Sequence, residues 1–130
     1  MKLLIVDDSE AIRRTIKSVL ADMAQEIYEC SDGGEALALY SRHRPEWVLM
    51  DIKMNQVNGI TATGQIKQLF PDAKIVIVTN YDDSHLRQAA YRAGACHYVL
   101  KRNLFDICQI LIANEGSKPV SLLSEETDEG

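Results

Sequence analysis

The sequence lacks the signals that would place a chain in or across a membrane. It contains no run of about eighteen apolar residues, no basic start followed by an apolar signal region, and no lipidation motif. It also has no cluster of Lys and Arg residues, which direct binding to nucleic acid requires. These absences predict a soluble cytoplasmic protein that binds neither membranes nor nucleic acids directly.

Cysteine is scarce and unpaired. The three residues Cys30, Cys96 and Cys108 are odd in number and far apart, so they lack the close pairs that a structural zinc site needs. We predict that they are small buried hydrophobic side chains of a protein in a reducing compartment.

The composition is that of one globular domain. With 130 residues, of which 46% are hydrophobic, the chain is long enough and apolar enough to bury a core. The net charge of -5 is concentrated at the end, because from Glu115 onward there are five acidic residues and one lysine. We predict a folded domain over residues 1–114, followed over residues 115–130 by an acidic disordered tail or the start of a linker.

Five short apolar runs alternate with five segments of helical periodicity. Such β-then-α units predict a doubly wound α/β fold, in which helices cover both faces of a five-stranded parallel sheet. The first helix has Ile12, Ile16 and Val19 on one face and Arg13 turned outward. The predicted strands are residues 3–6, 27–30, 47–51, 74–79 and 97–100.

The third predicted strand organises the domain. Residues 47–51 are apolar at consecutive positions until Asp51, which suits a parallel strand buried on both faces. Ligands of open α/β sheets bind beyond the carboxyl ends of the strands. We expect the Asp51 carboxylate to project into solvent at that edge, where it could take part in chemistry. An Asp in this position most often begins a turn or caps a helix, so that alternative stays open.

Polar side chains also follow three other predicted strands. Asp7 and Asp8 come after the first strand. Thr79 ends the fourth strand and Lys101 follows the fifth. Each of these residues is by itself most often a cap, a loop residue or a solvated charge. Because the ends of parallel strands meet at one edge, their joint occurrence with Asp51 favours a site.

The grouped residues predict magnesium-dependent phosphoryl transfer. Three carboxylates in one crevice repel one another and lose hydration unless a divalent cation is present. Carboxylate oxygens without His or Cys ligands suit Mg²⁺. Aspartyl carboxylates act as nucleophiles, so Asp51 is the candidate phosphoacceptor, with Lys101 and Thr79 as donors to the phosphoryl oxygens.

Four motifs carry a resemblance to a known family. They are Val6-Asp7-Asp8, residues 48–54 with Asn58-Gly59, residues 76–79 and residues 94–101. Together they resemble the receiver domain of two-component response regulators, over residues 2–114. The resemblance implies the flavodoxin-like sheet with strand order 2-1-3-4-5, in agreement with the α/β pattern.

The resemblance also implies roles for the acidic residues. Asp51 is implied to be the phosphoacceptor, which takes a phosphoryl group from a histidine kinase, a His-containing phosphotransfer protein or a small phosphodonor. Asp8 and Asp51 are implied to bind Mg²⁺ directly. Asp7 is implied to bind it mostly through water, and Lys53 through its backbone carbonyl.

A conformational switch is implied as well. Lys101 pairs with the phosphoryl group, Thr79 moves to hydrogen-bond it, and Tyr98 turns inward as Thr79 moves. The fourth helix, fifth strand and fifth helix then form the surface for a homodimer or an output partner. Phe105 and Ile112 make an apolar stripe on the outer side of the last helix, which either suits such a partner or is an ordinary exposed pair.

Three positions depart from the family's pattern. Asn55 stands where Pro is common, so we expect the loop after Asp51 to be less rigid. Asn80 stands where a small residue is usual, and we expect it to restrict access to the phosphoryl group. Arg102 replaces another common Pro, as is frequent in the subfamily with helix-turn-helix output. That analogy favours an output in transcription through an effector domain outside this chain, while the acidic tail equally suits a stand-alone receiver.

Two other functions stay open. One is a pseudo-receiver, which binds partners without phosphorylation and is favoured by Asn80. The other is a magnesium-dependent phosphohydrolase with an aspartyl-phosphate intermediate. Those enzymes have a second Asp two residues after the nucleophile, whereas Lys53 occupies that position here. We therefore expect a signalling switch that catalyses only its own phosphorylation and dephosphorylation.

Overall fold

Strands and helices alternate along the chain. A computed structural model describes residues 1–115, with side chains described as far as Ala113, so all of the predicted tail except Glu115 lies outside the described residues. The strands are β1 (Lys2–Val6), β2 (Glu26–Cys30), β3 (Trp47–Met50), β4 (Ile75–Thr79) and β5 (His97–Leu100). The helices are α1 (Glu10–Val19), α2 (Gly33–His43), α3 (Gly59–Leu69), α4 (Ser84–Ala93) and α5 (Phe105–Glu115). Within the described residues, no helix has the length and apolar character needed to cross a membrane.

All five strands are parallel and form one sheet. Their order is β2-β1-β3-β4-β5, which confirms the predicted doubly wound fold and its flavodoxin-like strand order. In the centre of the sheet, Val6 of β1 lies opposite Met50 of β3. The residues that follow these two strands are therefore neighbours at the carboxyl edge.

Each face of the sheet is covered by a separate core. Successive residues of a strand point to opposite cores, as Leu49 and Met50 of β3 do, which explains why the strands are apolar at consecutive positions. On one face, α1 and α5 contribute Ile16, Ile107 and Leu111. On the other, α2, α3 and α4 contribute Ala36, Tyr40, Ala62, Ile66 and Ala90.

Polar side chains cap the first turns of four helices. Each cap accepts a hydrogen bond from a backbone N–H that has no partner inside the helix. The cap residues lie in the loops at the carboxyl edge of the sheet, so they fix where each helix begins beside it. They are Ser9, Asp32, Asn58 and Asp83, which bond the amides of Ile12, Gly34, Thr61 and Leu86.

The environments of the cysteines differ from the prediction. Cys30 is buried and Cys108 is half-buried, but Cys96 is exposed. Cys96 lies between Gly94, where α4 ends, and the first residue of β5. Because it lies in this turn rather than in the strand, neither core covers it. The prediction of uniform burial is therefore wrong for Cys96.

Two glycines of α3 lie in opposite surroundings. A Cβ atom on Gly59 would lie 1.8 Å from the carbonyl oxygen of Asp51, far closer than two atoms can approach. At Gly64 a Cβ atom would meet nothing within 4 Å. The start of α3 is thus pressed against the backbone at Asp51, while the middle of the helix is open.

We predict that Gly59→Ala lowers the free energy of unfolding by at least about 2 kcal/mol, because the backbone at Asp51 must shift. The matched control, Gly64→Ala, should raise it by about 0.5–1 kcal/mol, because alanine has less conformational freedom to lose. Urea unfolding followed by circular dichroism measures both. Equal changes in the two variants would contradict the close packing of α3 on Asp51.

Candidate functional site

Three acidic side chains meet at the carboxyl edge of the sheet. Asp7 and Asp8 follow β1 and Asp51 follows β3, and one carboxylate oxygen of each lies within 4.8 Å of the others. The pairing of the two strands explains this proximity, since the amide of Asp51 donates to the carbonyl of Val6 at 2.8 Å. The three residues therefore converge, as the strand pattern predicts.

Asp51 is buried, contrary to the expectation that it projects into solvent. It is 5% exposed and Asp7 is 2% exposed, whereas Asp8 is exposed. Oδ1 of Asp51 accepts a hydrogen bond from the amide of Ile52 at 2.9 Å. The strand pattern places Asp51 at the edge of the sheet, but it contains no information on side chains such as Lys101 that enclose it.

Lys101 is the cation of this cluster. Its Nζ lies 2.9 Å from Oδ2 of Asp7 and 3.4 Å from Oδ2 of Asp51, and the side chain is 9% exposed. Burial lowers the pKa of the Lys101 ammonium, but the two carboxylates outweigh this effect and raise the pKa above its ordinary value. At these distances the ammonium forms ion pairs with both carboxylates.

The Asp51 carboxyl group has an unusual affinity for protons. Burial raises its pKa, and the neighbouring Asp7 charge raises it further. Lys101 and the amide of Ile52 oppose this rise, and the pKa is about 6. One buried ammonium therefore only partly compensates two buried carboxylates, so a further cation would be favourable here.

Thr79 and Tyr98 are joined through the backbone of Tyr81. Thr79 is fully buried at the end of β4, and its Oγ1 accepts a hydrogen bond from the amide of Tyr81 at 3.3 Å. The hydroxyl of Tyr98 donates to the carbonyl of Tyr81 at 2.6 Å. A displacement of Thr79 would therefore be transmitted to Tyr98 through one residue of the loop after β4.

The ring of Tyr98 points inward and is 8% exposed. The guanidinium of Arg87 lies 4.4 Å from the centre of this ring, a cation–π contact. Asp82 anchors the guanidinium at 3.3 Å and also lies 3.6 Å from Arg102. In this structure, Arg87 of α4 therefore covers the ring of Tyr98, and Asp82 of the loop before α4 holds Arg87 there.

Arg13 is a site residue that the sequence analysis missed. Its Nη1 donates to the carbonyl of Asp7 at 2.6 Å, and its Nε donates to Glu29 at 2.8 Å. Helical periodicity placed Arg13 on the outward face of α1, which is wrong, because the long side chain turns back to Asp7 in the loop after β1. Periodicity describes the direction of Cβ, not the reach of a guanidinium group.

The comparisons with known proteins agree with this geometry. The family model for the response regulator receiver domain matches residues 3–113. The chain belongs to this family. Receiver domains are signalling switches that interact with kinases and phosphotransfer proteins, and the chain is thus a CheY-like receiver domain.

The similar curated proteins are response regulators with and without further domains. The transcriptional regulatory protein DegU of Brevibacillus brevis is 34% identical over 104 residues, which cover 78% of this chain and 44% of DegU. The chemotaxis protein CheY of Bacillus subtilis is 35% identical over 101 residues, covering 77% of this chain and 84% of CheY. The chain thus spans about half the length of the transcriptional regulators and most of the length of CheY.

Solved structures show the same relationship. A LuxR-family response regulator from Aurantimonas superposes with a TM-score of 0.80 at 30% identity, covering 87% of this chain and 83% of that one. A CheY-like receiver domain protein from Methanospirillum hungatei superposes with a TM-score of 0.80 at 28% identity, covering 87% and 91%. The receiver fold is therefore shared with regulators of both kinds.

The buried charges predict that the metal-free domain is destabilised by its own site. In EDTA at neutral pH, Asp51→Asn should raise the free energy of unfolding by on the order of 1–3 kcal/mol, because it removes a desolvated charge beside Asp7. Asp22→Asn, at an exposed position, is the control and should change it by less than about 0.5 kcal/mol. Thermal and urea unfolding measure both variants. A destabilised Asp51→Asn variant would contradict this account of the cluster.

Proposed function

We propose that this receiver domain accepts a phosphoryl group on Asp51 in a magnesium-dependent reaction. The donor is a histidine kinase, a His-containing phosphotransfer protein or a small phosphodonor. The observation that carries the proposal is the buried Asp51 carboxylate, which lies beside a second buried carboxylate and has one ammonium 3.4 Å away. A nucleophile and a cation for the transferred group are thus already next to each other.

Mg²⁺ fits the donor set at this edge. Three carboxylates lie within 4.8 Å of one another, and the buried Oδ2 of Asp7 lacks a hydrogen bond of normal geometry from the described residues. Asp8 and Asp51 would hold the ion directly, Asp7 mostly through water, and Lys53 through its carbonyl. When bound, the ion supplies positive charge that offsets the negative charge on the phosphoryl oxygens.

The residues of the chain carry out the transfer. A carboxylate oxygen of Asp51 attacks phosphorus in line with the bond to the donor; a P–O bond to Asp51 forms, and the donor leaves with the electron pair of the bond that breaks. The Lys101 ammonium moves from its two carboxylate partners to a phosphoryl oxygen. Thr79 is suited to donate to another, because its oxygen accepts from Tyr81 and keeps its own proton.

The output follows from the contacts of Thr79. When its hydroxyl turns to the phosphoryl group, the loop at Tyr81 and the bonded hydroxyl of Tyr98 move with it. This movement changes which conformation of the surface formed by α4, β5 and α5 is most populated. Phe105 and Ile112 of α5 are 72% and 58% exposed. We expect an output partner or a second copy of the chain to bind this surface.

The wider role is signalling rather than turnover of a substrate. Lys53 occupies the position where aspartyl-phosphate hydrolases have their acid/base residue, so the domain catalyses only its own phosphorylation and dephosphorylation. The similarity to DegU favours a role in transcription through an effector domain outside this chain. The similarity to CheY favours a stand-alone switch.

We predict that incubation with Mg²⁺ and acetyl phosphate adds the mass of one phosphoryl group to the chain. The gain should disappear in EDTA and in Asp51→Asn, because the metal or the nucleophile is then missing. Asp22→Asn should be phosphorylated like the wild type. Intact-mass spectrometry measures all of these samples.

Two results would contradict the phosphoacceptor role. One is an equal gain in Asp51→Asn, which would place the phosphoryl group elsewhere. The other is no gain even after Asn80→Ala removes the side chain expected to restrict access. The second result would favour the pseudo-receiver, and constitutive partner binding would then become the function to test.

A further inference from the structure

We propose that Asp32 is a positioning residue that holds the loop after Asp51 in place for metal binding and phosphoryl transfer. This inference rests on the proposed function, because it assigns Asp32 a task in the same site. Asp32 lies in the loop between β2 and α2, outside the acidic cluster itself.

The carboxylate of Asp32 bonds two separate segments of the chain. Oδ2 accepts a hydrogen bond from the amide of Gly34 at 2.8 Å and thereby caps α2. Oδ1 accepts one from the amide of Gln56 at 2.8 Å. The amide of Val57 donates to the same carboxylate, at 3.2 Å from Oδ2 and 3.4 Å from Oδ1. Helix α2 is therefore tied through one side chain to the loop that leaves β3.

The two loops also touch through their backbones. The amide of Gly33 donates to the carbonyl of Val57 at 3.1 Å. A Cβ atom on residue 33 would lie only 2.5 Å from that carbonyl oxygen, so a glycine is needed for this approach. The contact between the loops is thus built into the fold and does not depend on Asp32 alone.

These contacts fix one end of the loop after Asp51. The other end is fixed at Ile52, whose amide bonds Oδ1 of Asp51 and whose carbonyl accepts from the amide of Gly59 at 2.9 Å. Lys53, whose carbonyl is a proposed Mg²⁺ ligand, lies between the two fixed ends. Asn55 lies there too, without the restricted φ that a proline would supply. The bonds from Asp32 supply the rigidity that a proline at position 55 would otherwise give.

Asp32 differs from the other caps of the described helices. Ser9, Asn58 and Asp83 each accept a hydrogen bond from an amide of their own helix, three residues ahead. Asp32 bonds amides 24 and 25 residues away as well as its own helix. The amides of Gln56, Gly34 and Val57 together lower the pKa of the Asp32 carboxyl below its usual value. Asp32 is thus a charged acceptor for three amides, only one of which belongs to α2.

The test compares Asp32→Ser with Asp83→Ser. Serine preserves a helix cap, but its side chain is shorter and has a single oxygen, so it cannot also bond the amides of Gln56 and Val57. Asp32→Ser should speed hydrogen exchange at these two amides about tenfold and slow phosphorylation of Asp51 about tenfold, with a similar loss of Mg²⁺ affinity. Asp83→Ser should stay within about twofold of the wild type in all three measurements.

The measurements separate this inference from the proposed function. Hydrogen exchange and Mg²⁺ titration, followed at the amides of Ile52 and Lys53 by NMR, need no phosphodonor. A wild type that binds Mg²⁺ but is not phosphorylated would refute the proposed function, while the titration still tests Asp32. Unchanged exchange and unchanged Mg²⁺ affinity in a folded Asp32→Ser variant would overturn the inference, as would equal losses in Asp83→Ser.

A second variant covers the case in which Asp32→Ser does not fold. Asp32→Asn keeps one acceptor oxygen and places an NH₂ group where the other was, so either Gly34 or Gln56 loses its acceptor and the amide of Val57 is left with one acceptor oxygen instead of two. It should show a smaller rise in exchange at Gln56 and Val57 and a smaller loss of Mg²⁺ affinity. Wild-type values for both quantities in Asp32→Asn would overturn the inference.

Discussion

The properties of the site depend on two carboxylates that are buried beside each other with one ammonium between them. Asp7 and Asp51 cannot both ionise cheaply in this place, and Lys101 compensates only part of the cost, which is why the pKa of Asp51 is about 6. The same imbalance makes a divalent cation favourable at this edge. Burial of apolar side chains in the two cores on the faces of the sheet offsets the destabilisation caused by these charges.

The site is assembled from loops that are held together by side chains from elsewhere in the chain. Arg13 holds the backbone of Asp7 from α1, and Asp32 holds the loop after β3 from the start of α2. The ammonium of Lys53 lies 5.3 Å from the centre of the Tyr81 ring and so joins the loop after β3 to the loop after β4. The loops after β1, β3 and β4 are therefore not independent of the rest of the fold.

The fold follows from the sequence because its signals are local and repeated. Consecutive apolar residues such as Leu49 and Met50 need a core on each side of a strand, and alternating helices provide it. The convergence of Asp7, Asp8 and Asp51 was predictable for the same reason, since it requires only that parallel strands end at one edge. The burial of Asp51 was not predictable in this way, because it depends on residues distant in the sequence. Arg13 and Asp32 escaped notice because each has an ordinary local role, on a helix surface and as a helix cap.

Chemical trapping locates the phosphoryl group on the phosphorylated chain. An acyl phosphate on an aspartate is reduced by borohydride to homoserine, whereas phosphate esters of serine and threonine are not. The chain is incubated with Mg²⁺ and acetyl phosphate, reduced, digested and sequenced by mass spectrometry. We expect homoserine at position 51 and nowhere else. Homoserine at position 7 or 8, or phosphate that remains on a hydroxyl residue, would contradict it.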